Sequence, residues 1–192
     1  MRRSKQDTAE TRRRIVESAG TALRTRGLAA ASLSDLMAEA GLTHGGFYRH
    51  FDSRGGLLAE ACAGAMATAT GRMAAAAARP DGDGLAALAG YYLSPGHRDE
   101  IGAGCPLAAL GSELVRAPVE LRDTATDGVR ALIAIVSAAL KEPVQPQAAA
   151  IVSMLVGAVT LARAVNDPEL SARLLDAAKA AVSRLAQPEG GR

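Results

Sequence analysis

The turn Gly41-Leu42-Thr43 is the feature that most narrows the folds open to this chain. It separates two segments of about two helical turns each, Leu33 to Ala40 and Thr43 to Phe51, each with apolar residues at helical spacing. Glycine reaches the left-handed backbone region that ends a helix sharply, so short helices on its two sides can cross steeply. Ser32 with Asp35 caps the earlier segment, and Thr43 can cap the later one. A helix from about Thr8 to Arg26, with Asp7 and Glu10 as a capping pattern and Gly27 just past its end, offers the stripe Ile15, Ala19, Ala22 and Leu23 to cover both. The spacing predicts a three-helix, helix-turn-helix unit whose second short helix projects outward, where a major groove would accept it.

The rest of the chain is also predicted to be helical. Hydrophobic residues make up 48% of the sequence but aromatic residues only 3%, so the core must be built from Ala, Leu, Val, Ile and Met, mostly strong helix formers. No run of alternating β-branched residues appears, and the expected fold class is all-α. A helix starts at Ser53-Arg54 and runs towards Ala78, and Arg79-Pro80-Asp81-Gly82 breaks it. A further helix spans about Leu85 to Leu93, and Ser94-Pro95-Gly96 reads as a loop. Cys105 as N-cap and Pro106 at the first position open another helix, and Pro118 opens the next, which reaches Leu140. Pro143 and Pro146 interrupt the chain before helices at about 147–166 and 169–186, the latter capped by Asp167 with Pro168 behind it. The division expected is a helix-turn-helix domain over 1–54 and a helical regulatory and dimerisation domain over 55–192.

Charge is unevenly spread. Residues 1–54 hold ten Lys/Arg against six Asp/Glu, and 55–192 hold twelve against fourteen. A basic end on a mildly acidic body suits a polyanionic partner, although Arg2, Arg3 and Lys5 can equally be a solvated tail. Cys62 and Cys105 are too few for a disulfide framework, which points to a reducing compartment, the cytoplasm. The polar start is unlike a signal peptide. The longest apolar stretch, Ala148 to Ala162, is 15 residues with Ser153 and Thr160 inside it, short of the ~20 that span a bilayer, so no membrane is expected.

The candidate DNA-contacting residues are Thr43, His44, Gly45, Gly46, Tyr48, Arg49, His50 and Arg54. Thr43, Tyr48, Arg54 and the amides at the helix start suit phosphates, His44 and Arg49 can reach base edges or phosphates, and Gly45 and Gly46 let the backbone approach closely. Phe47 and Phe51 are expected to lock this helix onto its neighbours. Tyr48 can instead be a packing aromatic, and His44 and His50 plain surface residues. Ser32-Leu33-Ser34-Asp35-Leu36-Met37-Ala38, Ala40-Gly41-Leu42-Thr43, Gly45, Phe47-Tyr48, His50-Phe51, Ser53-Arg54 and Leu57-Leu58 together resemble the DNA-binding signature of TetR-family regulators, and Arg14-Ile15-Val16, Ser18-Ala19 and Gly27 resemble the helix before it. The resemblance covers about residues 10–60. It implies a one-component regulator of about nine helices that binds a pseudo-palindromic double-stranded operator as a homodimer and releases it when a small molecule binds. Two positions depart from the family pattern: Arg54-Gly55 where Lys-Glu is usual, and His44 where Lys or Arg is common.

The helix near 147–166 is apolar nearly all round, so it must be buried, and with the stripe of 169–186 it suits a two-fold four-helix dimer interface; an ordinary intrachain core is the alternative. The resemblance places the effector among the middle helices, where Met66, Tyr91, Tyr92, Cys105, Leu107, Leu110 and Met154 are candidate lining residues, each equally readable as core. The segment Gly102 to Glu113 resembles a branch of the family in which a cysteine senses electrophiles, so Cys105 is either a redox sensor or a buried cap. No catalytic motif, metal-ligand cluster or cofactor loop is present, and no catalytic residue, metal or cofactor is assigned. The rival readings are a helical ligand-binding protein, or a thiol-dependent enzyme, that does not bind DNA.

Overall fold

The computed structural model describes residues 5–30, 32–41, 44–78, 83–140 and 145–186. Among them every regular element is helical: α1 Lys5–Ala30, α2 Leu33–Glu39, a 3-10 segment His44–Arg49, α3 Arg54–Ala77, α4 Gly84–Tyr92, α5 Pro95–Asp99, a 3-10 turn Ile101–Ala103, α6 Pro106–Leu114, α7 Val119–Ala139, α8 Gln145–Ala164 and α9 Pro168–Leu185. Arg2, Arg3, Thr43, Pro143 and the break at 79–82 lie outside the described residues.

The helix starts follow from capping chemistry. Ser32, Ser53, Ser94 and Asp83 each accept a backbone N–H of the first turn, and Asp167 accepts from Glu169 and Leu170. Cys105 is the N-cap of α6 with Pro106 behind it, but its thiol makes no capping bond. Three expectations change. Because α1 begins at Lys5, Asp7 lies inside its first turn, where an acid still favours the positive helix end. Ser94-Pro95-Gly96 opens the short helix α5, because Ser94 Oγ accepts from the His97 amide at 3.1 Å and Pro95 needs no donor there. The second helix of the helix-turn-helix is a 3-10 segment, consistent with the poor α-propensity of Gly45 and Gly46.

α3 is the axis of the molecule. It packs on α1 along one side and on α4 and α7 along the other. Leu57, Leu58, Ala61, Cys62, Ala65, Met66, Ala69 and Met73 are its buried stripe, at the three- and four-residue spacing of a helix face. Met66 lies over Gly128 of α7, where any side chain would collide with it. α8 and α9 pack on each other, and α8 also meets α7 and α6. Ala148, Ile151, Val152, Leu155, Val159 and Ala162 form the inner face of α8. Its other side carries half-buried Met154, Val156, Gly157 and Ala158 and the 54%-exposed Leu161. The 15-residue apolar run thus sits in a longer helix; over Pro146–Ala164 it is long and apolar enough to cross a membrane by length and composition, and it packs here as one wall of the bundle.

The N-terminal helices are fastened to the rest at the end of α1. Gly27 adopts φ 82° and ψ 174°, a region essentially confined to glycine, and interrupts the helix. The Leu28 amide freed by this kink donates to Glu113 Oε2 on α6 at 2.7 Å, and Leu28 O accepts from Arg54 Nη2 at 2.9 Å. One turn earlier, Arg24 Nε donates to Gly102 O at 2.7 Å. A Cβ on Gly27 would lie 2.6 Å from Glu113 Oε1. Gly27→Ala is therefore expected to cost about 1–3 kcal/mol from the backbone alone, plus displacement of the carboxylate. In a Glu113→Ala background the collision is gone and the cost should fall without vanishing. Urea unfolding of both single variants and the double variant measures this, and strict additivity would contradict the contact.

Candidate nucleic-acid interface and interior polar site

The 3-10 segment is held from below by aromatic packing. Phe47 and Phe51 are buried and stack at 5.7 Å between centroids. Arg12 of α1 fixes the segment's far end. Its guanidinium lies 4.6 Å from the centre of the Phe51 ring, its Nε donates to His50 O at 3.2 Å, and its two terminal nitrogens grip the Glu60 carboxylate of α3, with Nη2 at 2.6 Å from Oε2. The sequence does not single out Arg12 or Glu60, because residues 48 positions apart share no periodicity that would pair them. α2 is tied to α1 by Arg26 and Glu39 at 2.7 Å.

On this base the outward residues are well placed. Tyr48 is 68% exposed, and its ring stands edge-on to Phe47 at 5.2 Å, so the root of the side chain is packed while its surface is free to meet a ligand. Arg49 and Arg54 are exposed, and His50 and Gly46 are half-buried. Arg54 also carries the bond to Leu28 O, so it lies at the seam with α1 as well as at the surface. His44 and Gly45 begin the segment; the His44 side chain, like all of Thr43, lies outside the described residues.

A second polar cluster occupies the interior, around the turn 101–104. The Cys105 amide donates to His97 Nε2 at 3.0 Å. An amide can only donate, so Nε2 is bare and His97 Nδ1 carries the proton, donated to Tyr92 O at 2.6 Å. The ring is thereby fixed in one neutral tautomer. Burial holds its pKa below the usual histidine value, against the Tyr92 carbonyl, and Arg163 and Arg72 add to the lowering. Tyr92 is buried, and its hydroxyl, beside the Cys105 thiol, has no hydrogen-bond partner of good geometry; burial, then the neighbouring Cys105, raises its pKa well above the usual range. Arg163 of α8 reaches in from the far side, its Nη2 donating to His97 O at 2.7 Å and its Nε to Arg98 O at 2.9 Å, while Nη1 is buried without a partner. Gly104 permits this approach, since a Cβ there would lie 2.7 Å from Arg163 Nη2 and 3.2 Å from His97 Nε2.

Of the candidate residues for an effector pocket, the structure brings together Tyr91, Tyr92 and Cys105, all around His97. Tyr91 is half-buried, and with Arg72, Ser94, His97 and Gly104 it borders a cavity of about 330 Å³. Met66, Leu107 and Leu110 are buried in the core, and Met154 is half-buried on α8. Cys105 and Cys62 are both buried thiols, and burial raises the Cys62 pKa.

An outward reading segment on a compact N-terminal helical unit, joined to a larger helical body, is the architecture of a helix-turn-helix transcriptional regulator. Residues 15–61 match the family model of bacterial regulatory proteins of the tetR family. Over 58 residues, 30% of the chain, it is 40% identical to the HTH-type transcriptional regulator TtgR of Pseudomonas putida. The probable HTH-type transcriptional regulator ArpR of the same species is equally similar. These matches span only 28% of each relative's length. Solved structures extend the likeness of fold to nearly the whole chain. A TetR transcriptional regulator from Chloroflexus aurantiacus is 25% identical with a TM-score of 0.77, covering 94% of each chain. Reduced NemR of E. coli is 23% identical with a TM-score of 0.78, covering 91% of this chain and 96% of its own. The chain carries the DNA-binding domain of the TetR family, and nearly all of it has the fold of that family's solved members.

The His97 lock has a pH signature. Its folded pKa lies below the unfolded value of 6.5, so the unfolded chain binds the proton more readily. Stability is then unaffected well above pH 6.5 and falls as pH drops through it, by up to about 1.4 kcal/mol per pH unit until the folded pKa is reached. Chemical unfolding at pH 7.5, 6.5 and 5.5 should show this decline, and His97→Gln should flatten it while lowering stability at pH 7.5. An equal decline in the variant would assign it to other groups.

Proposed function

We propose that this chain is a homodimeric, sequence-specific DNA-binding transcriptional repressor, cytoplasmic, released from its operator by a small-molecule effector. The observation that carries this is the 3-10 segment His44–Arg49, anchored inward by Phe47 and Phe51 and presenting Tyr48 and Arg49 outward from a domain that matches the tetR family model. Thr43, Tyr48, Arg54 and the backbone at Gly45 and Gly46 engage phosphates, and His44, Arg49 and His50 lie at the groove, with Arg49 the best-placed base reader. The reading domain is residues 1–54 and the regulatory domain 55–192.

Dimerisation through α8 and α9, about 147–166 and 169–186, accounts for the apolar outer side of α8, which nothing else in the described chain covers. The effector occupies the region of Tyr91, Tyr92 and Cys105, with Met66, Leu107, Leu110 and Met154 in the surrounding apolar wall. Coupling to the reading domain is short: Glu113 on α6 and Gly102 in the 101–103 turn both bond directly to α1, so a ligand that shifts either element moves the reading heads. Cys105 serves here as a buried structural cap whose amide fixes His97; a sensor role would require the thiol to be uncovered first.

Selection of random duplex DNA by the purified protein should enrich an inverted repeat, and failure to enrich any duplex at moderate salt would sink the proposal. On the selected site, Tyr48→Ala should weaken binding roughly fivefold to hundredfold per dimer, from two lost hydrogen bonds of about 0.5–1.5 kcal/mol each. It should do so alike on all sequences, with helical content unchanged. Leu161→Asp should yield a folded monomer in analytical ultracentrifugation with operator affinity lost; a dimer that persists would move the interface elsewhere.

A further inference from the structure

We propose that the cavity bordered by Arg72, Tyr91 and His97 binds a planar organic anion, an aromatic carboxylate. The argument begins with uncompensated charge. Three guanidinium groups converge around the turn 101–104 from three different helices: Arg24 donates to Gly102 O, Arg72 Nη1 to Ala103 O at 3.0 Å, and Arg163, beside Gly104, to the His97 and Arg98 carbonyls at the end of α5. None of the three is among the ion pairs found in the described residues, whereas the neighbouring Arg98 is neutralised by Asp99. Carbonyl dipoles satisfy donors but do not cancel a full charge, and Arg24 and Arg163 are half-buried, where water screens them poorly. The turn therefore carries a net positive field that a bound anion would complete. Glu100, exposed on the cavity's rim, is the acid among its lining residues and leaves that balance positive.

The shape of the cavity supplies the rest of the ligand. Tyr91 and His97, which both line the cavity, lie nearly parallel at 6.0 Å with an interplanar angle of 18° and give it an aromatic wall. Both His97 nitrogens are already used, one by Tyr92 O and one by the Cys105 amide, so this buried ring offers the cavity no hydrogen bond, and the half-buried Tyr91 is the more open of the two rings. A ligand on this wall gains from a flat apolar ring, and its charge is drawn to Arg72, the guanidinium among the three that borders the cavity. At about 330 Å³ the space admits a single-ring compound. Behind the wall, the buried Tyr92 hydroxyl and Arg163 Nη1 lack hydrogen-bond partners, and the acid that acts on Arg163 from that side is Asp99, already paired with Arg98, so it offsets the field only in part. As a binding site the cavity stands on these contacts alone; as the effector site it rests on the proposed repressor function.

Titration calorimetry of the full-length protein at low ionic strength, with benzoate as probe, tests the site. Benzoate should bind once per chain. Benzamide, which keeps the ring without the charge, and acetate, which keeps the charge without the ring, should each bind at least tenfold more weakly. Arg72 is exposed and bonds one carbonyl, so Arg72→Gln should fold normally and lose benzoate tenfold or more, with Arg72→Lys intermediate. No benzoate binding at millimolar concentration, equal affinity for benzamide, or an unchanged affinity in Arg72→Gln would overturn the proposal. The two readings fail separately. Benzoate that binds but leaves the operator complex intact supports the site and removes its regulatory role. Absence of any DNA selection removes the repressor reading and leaves the calorimetry to decide the site.

Discussion

The bond from the Leu28 amide to Glu113 holds the two halves of this molecule in register. Its existence depends on Gly27, because only a residue without a Cβ can turn α1 into this conformation with a carboxylate so close. The kink frees an amide that would otherwise be paired inside α1, and a buried or half-buried donor must find an acceptor. Glu113 supplies it from α6, and Arg54 supplies the matching donor for Leu28 O from the start of α3. One short stretch of backbone is thus held by two neighbouring helices at once. Displacement of α6 cannot leave α1 unmoved.

The reading surface and the interior cluster use the same kind of chemistry to opposite ends. Arg12 is paired with a carboxylate, lies over an aromatic ring and bonds a carbonyl, so its charge is spent on rigidity. Arg24, Arg72 and Arg163 hydrogen-bond carbonyls and form no ion pair in the described residues, and although Asp99 acts on Arg163, most of their charge is left uncancelled. The contrast is one of counter-ions, not of residue type. His97 stands between these groups as a neutral spacer: protonating it would add a positive charge to a site that already has three, in surroundings that desolvate it.

Much of the fold was legible in the sequence. The caps Ser32 and Asp167, the start at Ser53 and the prolines at 106 and 168 mark helix starts correctly, because capping is decided within a few residues. The stripe Ile15, Ala19, Ala22, Leu23 and the locking roles of Phe47 and Phe51 follow from helical periodicity, and all six are buried. Where local signals compete, the outcome was less legible. Ser94-Pro95-Gly96 carries both turn and helix-start residues, and the Ser94 bond to the His97 amide decides for helix. The 3-10 form of the reading segment likewise reflects glycines that weaken an α-helix without forbidding a tighter one.

The sequence by itself determined the all-helical class, the order of the helices and the outward segment around Tyr48, since these rest on short-range periodicity, capping and a glycine turn. Only the tertiary structure decided which charged and polar groups meet: Arg12 with Glu60, Leu28 with Glu113, and three arginines gathered on one turn without an ion pair among the described residues. The reason is physical. Propensity and capping act over a turn or two of chain, whereas the energy of a charge depends on what folding brings within a few ångströms of it and on how much water it removes. Groups 48 and 85 residues apart acquire their meaning only when the helices between them have packed.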